Sequence, residues 1–183
     1  MKRIAAVLLA SVITFVGSAY TIQAIINWKI DSEKAMVKFS LTAHGQELIG
    51  NFKVAKGIIK FDENDLANSS IDCSIDITTI NTGIEARDKH LQSKGFFGAA
   101  TSPICKFTST KIEKTATGFT ATGNLLLKQT TKEIILPFTY EGTKTSGTFK
   151  GSFRIKRSDY AIGEGDDDIG DEVTISLDIP VSQ

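Results

Sequence analysis

The sequence predicts an all-β chain, an antiparallel β-barrel of about eight strands with one short helical segment at a rim. Three observations carry that expectation. Apolar and polar residues alternate with a period of two along nearly every stretch after residue 27, the pattern of strands dry on one face. The connections between these stretches are short and rich in Gly, Asn, Asp, Ser and Thr, which favours antiparallel order. The alternation stops in one place only, Thr82 to Phe97, TGIEARDKHLQSKGFF.

The first residues stand apart from this pattern. Lys2-Arg3 is followed by an apolar stretch from Ile4 to Val16 and by small residues at Gly17-Ser18-Ala19 and Ala24. That is the make-up of a secretory signal peptide, with cleavage expected after Ala19 or Ala24, and the apolar run is short for a membrane span. The expected organisation is therefore a leader over 1–24 and a single domain over 25–183, long enough to bury a sizeable core. Loss of Lys2 and Arg3 takes the 21 basic residues to 19 against 21 acidic ones, a net charge of about −2. No basic run is dense enough to track phosphates, which excludes nucleic acid as a partner.

The strands follow in order. Trp28-Lys29-Ile30-Asp31 opens, and Ala35, Val37, Phe39 and Leu41 then share one face. Ala43-His44-Gly45 marks a turn, and Leu48, Gly50, Phe52 and Val54 resume the alternation. Lys56-Gly57 is expected to turn the chain into a separate strand, Ile58 to Asp62. Ile71, Cys73, Ile75 and Ile77 form the next dry face. In the interruption, Asn81 or Thr82 can cap a helix with Glu85 in its first turn, and Gly95 ends it before the apolar pair Phe96-Phe97. A polar helix with an aromatic foot is expected to close one end of the barrel.

Pro103 can only begin or edge a strand, so the following strand starts there, with Cys105 and Phe107 on one face. The longest run sets Phe119, Ala121, Gly123, Leu125 and Leu127 against polar partners, and the turn Gln129-Thr130-Thr131-Lys132 leads to Ile134, Leu136, Phe138 and Tyr140. Phe149, Gly151, Phe153 and Ile155 come next, then a Gly- and Asp-rich loop over 159–171, then Val173, Ile175, Leu177, Ile179 and Val181. A two-sheet sandwich would also bury these faces; strands of eight to ten residues and the single helix favour the barrel. An outer-membrane barrel would point its apolar faces outward around a polar lumen.

Reaction chemistry is sparse. The two histidines are His44 and His90, and no Cys-x-x-Cys, His-x-x-x-His or G-x-S-x-G occurs. An enzymatic reading would make His90 a base oriented by Asp88; the competing reading is a hydrogen-bonded helix docked on the rim. Gly163 to Asp168, GEGDDD, offers clustered oxygens but lacks EF-hand spacing, and an acidic solvated loop is the expectation. Cys73 and Cys105 read inward, as a cross-strand disulfide or as two small buried hydrophobes. No metal, cofactor or catalytic residue is assigned.

The surplus is in inward aromatic and branched side chains: ten of the eleven Phe follow the leader. An eight-stranded barrel is just wide enough to be filled by side chains or to hold one small ligand. Gly50, Gly123 and Gly151 on the inward parity are expected to leave space. The candidate ligand-binding residues are Phe39, Phe61, Phe119, Phe138, Phe149 and Phe153 along the wall, with Phe96 and Phe97 as gate residues. Burying about ten methylenes in such a lumen offers on the order of 8 kcal/mol before ordering costs. A fully packed interaction module is the alternative.

Trp28-x-Ile30-Asp31, Thr82-Gly83, Arg87-Asp88-x-His90-Leu91-x-Ser93, Phe96-Phe97 and Pro103 before Phe107 occur here in that order. Gly123-x-Leu125-x-Leu127, Thr131-Lys132, Arg157-x-Asp159-Tyr160-x-Ile162-Gly163 and Ile169-Gly170-Asp171-x-Val173 follow. The ordered set resembles the YceI-like family from Trp28 to Val181. The resemblance implies a lipocalin-like barrel exported to the periplasm, not an enzyme, that binds a polyisoprenoid or similar long lipid. It also implies a link to inner-membrane cytochrome b561-type proteins and hence quinone-like cargo. Gln129, where the family often has Gly, and the two cysteines depart from its pattern.

Overall fold

The computed structural model describes residues 26–183. The leader assigned to 1–24 lies outside the described residues. In chain order the elements are β1 (Asn27–Ile30), β2 (Met36–Ala43), β3 (Gln46–Lys60), β4 (Ser70–Asp76), α1 (Glu85–Leu91), β5 (Ile104–Lys114), β6 (Phe119–Leu127), β7 (Thr130–Gly142), β8 (Ser146–Lys156) and β9 (Glu172–Ser182). Strands are antiparallel in the order β3-β2-β9-β8-β7-β6-β5-β4, and β4 pairs back onto β3 to close the barrel. β1 occupies the same slot as β2, pairing with the far ends of β3 and β9. The two are one stave broken at 31–35, where the Asp31 carbonyl accepts from the Lys34 and Ala35 amides at 3.1 and 2.8 Å.

Period-two patterning explains the closure. In β6, Phe119, Ala121, Gly123, Leu125 and Leu127 are buried while the intervening residues are half-buried or exposed. Every other stave adds its apolar parity to the same interior, the reverse of a barrel with an outward apolar band. Lys56-Gly57 does not turn the chain. β3 runs through it for fifteen residues, with a bulge between Val54 and Lys56, and bulges bend and twist a strand without ending it. Gly57 leaves room for a neighbour's side chain: a β-carbon there would stand 2.1 Å from Ile30 Cδ1.

The helix starts later than its expected cap. Ile84 is its N-cap and makes no side-chain cap bond. Asn81 Oδ1 instead accepts from the Gly83 amide at 2.8 Å, closing a local turn. The amide and hydroxyl of Thr82 both donate to Asp88 Oδ1, at 2.8 and 2.6 Å. Arg87 donates back to the Thr82 hydroxyl and carbonyl, each at 2.8 Å. The helix is thus fastened to the preceding turn by two of its own charged side chains.

An apolar lumen between an aromatic base and a clamped rim

One end of the barrel is filled by rings. Phe61 meets Phe119 edge-on at 5.0 Å and Phe149 at 5.3 Å between centroids. Tyr140 packs on Phe149 at 4.8 Å and on Trp28 at 5.1 Å. The Trp28 indole N–H donates to the Phe61 carbonyl at 3.0 Å, so the most polar atom of the cluster is satisfied. Each such ring pair adds roughly 0.5–1.5 kcal/mol beyond the area it buries.

The other end is closed by α1, its aromatic foot and the loop over 157–171. The Phe97 ring stands edge-on to Phe52 at 5.6 Å. Phe96 lies between His90, 4.8 Å away, and Gly163, where a β-carbon would come within 2.9 Å of its ring. The Gly163 amide donates to the Gly95 carbonyl at 2.9 Å and joins loop to foot. Arg157 organises this loop. Nε donates to the Gly170 carbonyl at 3.3 Å, Nη1 to the carbonyls of Ile162 at 2.9 Å and of Gly163, and Nη2 to those of Asp166 at 2.6 Å and Ile169 at 2.7 Å. All five donors of the guanidinium are engaged. Two backbone carbonyls of GEGDDD, those of Gly163 and Asp166, thus accept from Arg157, while the side chains of Glu164, Asp167 and Asp168 are exposed. Among the described residues no three His, Cys, Asp or Glu side chains converge as a metal would need.

Between base and rim lies a cavity of about 220 Å³. Phe39, Phe96, Phe97, Phe138, Phe149 and Phe153 line it. Phe61 and Phe119 do not; they belong to the base, beneath the lumen. Much of the remaining wall is aliphatic, with Ile75, Leu125, Leu127, Ile134, Leu136, Ile155, Val173 and Ile175 among its residues. Aromatic content drew attention to the phenylalanines; the inward parity of the same strands marks these aliphatics equally well. The inward glycines do not act alike. Phe39 fills the space at Gly50 and Phe107 that at Gly123, where β-carbons would stand 2.3 and 2.8 Å from the rings, while Gly151 lines the cavity.

Among the described residues the lumen has no buried side-chain nitrogen or oxygen without a hydrogen-bond partner. Its polar lining residues are Ser74, Lys150 and Arg157. Ser74 Oγ donates to the Lys56 carbonyl at 3.4 Å, Lys150 Nζ turns to Glu141 at 3.1 Å, and Arg157 is fully engaged. Cys73 and Cys105 face the cavity as free thiols. Cys73 opposes Phe107 and Cys105 opposes Ile75, so the two are two rungs out of register for a disulfide. Burial pushes both thiols up to about 12, Cys73 with a smaller push from Asp72. Burial likewise raises Tyr160 to about 12, with smaller contributions from Cys105 and Asp159. A group that stays neutral suits an apolar wall. Asp88 and His90 are not assembled as an acid–base pair: the Asp88 carboxylate is engaged by Thr82, and the exposed His90 leans on a phenyl ring. His44, at the β2–β3 turn, is exposed and 3.8 Å from Asp168. What this arrangement offers a guest is hydrophobic transfer.

Known proteins are similar to this chain in sequence and fold. Residues 28–181 match the YceI-like domain. A UPF0312 protein of Photorhabdus laumondii is 34% identical over 143 residues, 73% of this chain and 74% of its own. The crystal structure of BcnA from Burkholderia cenocepacia aligns with a TM-score of 0.78 at 27% identity, over 85% of this chain and 100% of that one. A polyisoprenoid binding domain from Saccharophagus degradans shares the fold at 14% identity and a TM-score of 0.65, over 87% of this chain and 99% of that one. With its profile matched across the whole barrel and relatives above 30% identity, this chain belongs to the YceI-like family.

Proposed function

We propose that this protein is a periplasmic, exported binding protein that holds a long apolar lipid, a polyisoprenoid or a quinone-like molecule, in its barrel and carries or sequesters it without chemical change. One observation carries the reading: the lumen between the aromatic base and the rim is unfilled and, among the described residues, offers no unpaired polar side chain. A guest with a hydrogen-bonding group along its buried length would leave that group unsatisfied, at roughly 1–3 kcal/mol each. A hydrocarbon chain loses nothing there and gains about 0.8 kcal/mol per buried methylene. The polyisoprenoid binding domain with the same fold supports the ligand class, and the leader-like first residues support export. A cytochrome b561-type membrane protein is the proposed partner for cargo exchange.

Native mass spectrometry of gently purified protein tests this. The expected spectrum carries an adduct that organic solvent extracts as a lipid. A bare mass, with no lipid in the extract and none taken up from added polyprenol, would overturn it.

A further inference from the structure

The barrel wall is not sealed evenly. β8 is paired with β9 over eleven rungs, Ser146↔Ser182 to Lys156↔Glu172, and β7 with β6 over nine, Phe119↔Phe138 to Leu127↔Thr130. β7 and β8 share only five, Phe138↔Gly151 to Gly142↔Gly147. Toward the rim, residues 130–137 on one bank and 152–156 on the other form no rung with each other. A proline explains where the pairing stops. The Thr143 amide donates to the Ser146 carbonyl at 2.7 Å, and bonded rungs recur every second residue in an antiparallel ladder. The series runs through Glu141–Thr148 and Thr139–Lys150, and its next member would be Pro137–Ser152. Pro137 has no N–H to give.

Elsewhere, interrupted ladders are covered. Where β4 stops short of β3, the backbones of Asn51 and Asn81 exchange two hydrogen bonds of 3.0 Å and the Lys53 amide donates to Thr79 Oγ1 at 2.9 Å. Where β4 ends against β5, the Ile71 amide donates to Ser109 Oγ at 2.8 Å. Among the described residues, the ties that link the start of β7 to the segment after β8 are two side-chain bonds at the rim, Lys132 to Asp159 and Lys128 to the Ala161 carbonyl. The Lys132–Asp159 tie is exposed and of the kind that contributes little, and the Lys128 bond is half-buried.

The seam is apolar on both sides. Ile134, Leu136, Phe153 and Ile155 border it from within and line the cavity, and all but Leu136 are only half-buried. Ile135, outside, is 63% exposed. The route past the rim is held by the five bonds of Arg157 and by the Gly163–Gly95 bond.

We infer that the β7–β8 seam is the lateral portal through which an apolar guest passes between solvent or membrane and the lumen. This rests on the lumen being a lipid site, as proposed above. Beyond the Phe138–Gly151 rung the two strands share no ladder pairing, so the wall opens there at less cost than elsewhere while the rest of the ladder holds the barrel together.

The test measures uptake and release of N-phenyl-1-naphthylamine, a neutral apolar fluorophore, by stopped flow. Ile135→Cys and Arg154→Cys are installed together and bridged with a reducible bis-thiosulfonate; the native thiols, on half-buried Cys73 and buried Cys105, face inward and stay unreacted near neutral pH. Both rates are expected to fall at least about tenfold on bridging, with unchanged equilibrium signal, and to recover when the bridge is reduced. A control bridge between Lys94→Cys and Glu164→Cys at the rim leaves the rates alone. Pro137→Thr, which restores the missing donor, slows exchange in the same direction. Unchanged rates with the seam bridged, or slowing only with the rim bridged, would overturn the portal while leaving the lipid site standing. Absence of fluorophore binding in the unmodified protein would overturn both.

Discussion

The Phe39 ring lies against the backbone of Gly50, its partner across the β2–β3 ladder, so closely that a β-carbon at residue 50 would stand 2.3 Å from its Cζ. The glycine keeps the ring flat on the wall, and Phe39 in turn packs on Phe52 at 5.3 Å. Gly50→Val is expected to drive the ring into the lumen. The barrel loses about 1–3 kcal/mol in urea titrations, and the affinity of an apolar probe falls with the space. A variant with stability and affinity both unchanged would show that the ring has room elsewhere.

Arg157→Lys keeps the charge and removes the fork. A lysine can serve at most three of the five carbonyls, which leaves the loop over 157–171 short of partners. The expected loss is about 2–3 kcal/mol. Hydrogen exchange should locate it, with faster exchange in this loop and in the Phe96 foot joined to it at Gly163–Gly95. Uniform acceleration across all strands would contradict a local clamp.

The thiols set a pH dependence with a definite sign. Cys73 and Cys105 have an ordinary value of 9.0 when unfolded and about 12 in the barrel. The folded state therefore holds its protons longer, and its full stability is present below pH 9 and declines as pH climbs from there toward 12. The urea midpoint at pH 10.5 should lie below that at pH 8. At pH 8 a thiol reagent should label neither cysteine until denaturant opens the barrel. Prompt labelling of the native protein, or a constant midpoint across this range, would contradict buried neutral thiols.

Much of this architecture was legible in the chain. Period-two patterning marks the inward face of β6, β8 and β9 residue by residue, because a barrel interior admits one parity only. What local pattern could not convey is pairing. That β1 and β2 share one slot depends on where the ends of β3 and β9 meet them. Lys56-Gly57 has the composition of a turn, yet Gly57 serves a close approach by Ile30 from β1, a strand paired with β3 but remote in sequence. Cys73 and Cys105 have matching parity, and only the β4–β5 register separates them. Phe61 and Phe119 are inward like the other phenylalanines, but height along the barrel places them in the base instead of the lumen wall.

Asp88 is a fastener in this account, since its Oδ1 accepts both the amide and the hydroxyl of Thr82. Asp88→Ala should destabilise by about 1–3 kcal/mol and loosen α1 in hydrogen exchange, while His90→Ala leaves stability within about 0.5 kcal/mol because His90 is exposed. Equal losses from the two variants would point to a working pair at the rim.

Hydrophobic transfer into an apolar lumen is the proposed force for binding a guest. Titration calorimetry with straight-chain primary alcohols of increasing length measures it directly. Affinity should rise about fourfold per added methylene, the equivalent of roughly 0.8 kcal/mol, and level off once the cavity is full. An affinity that does not change with chain length would contradict the account.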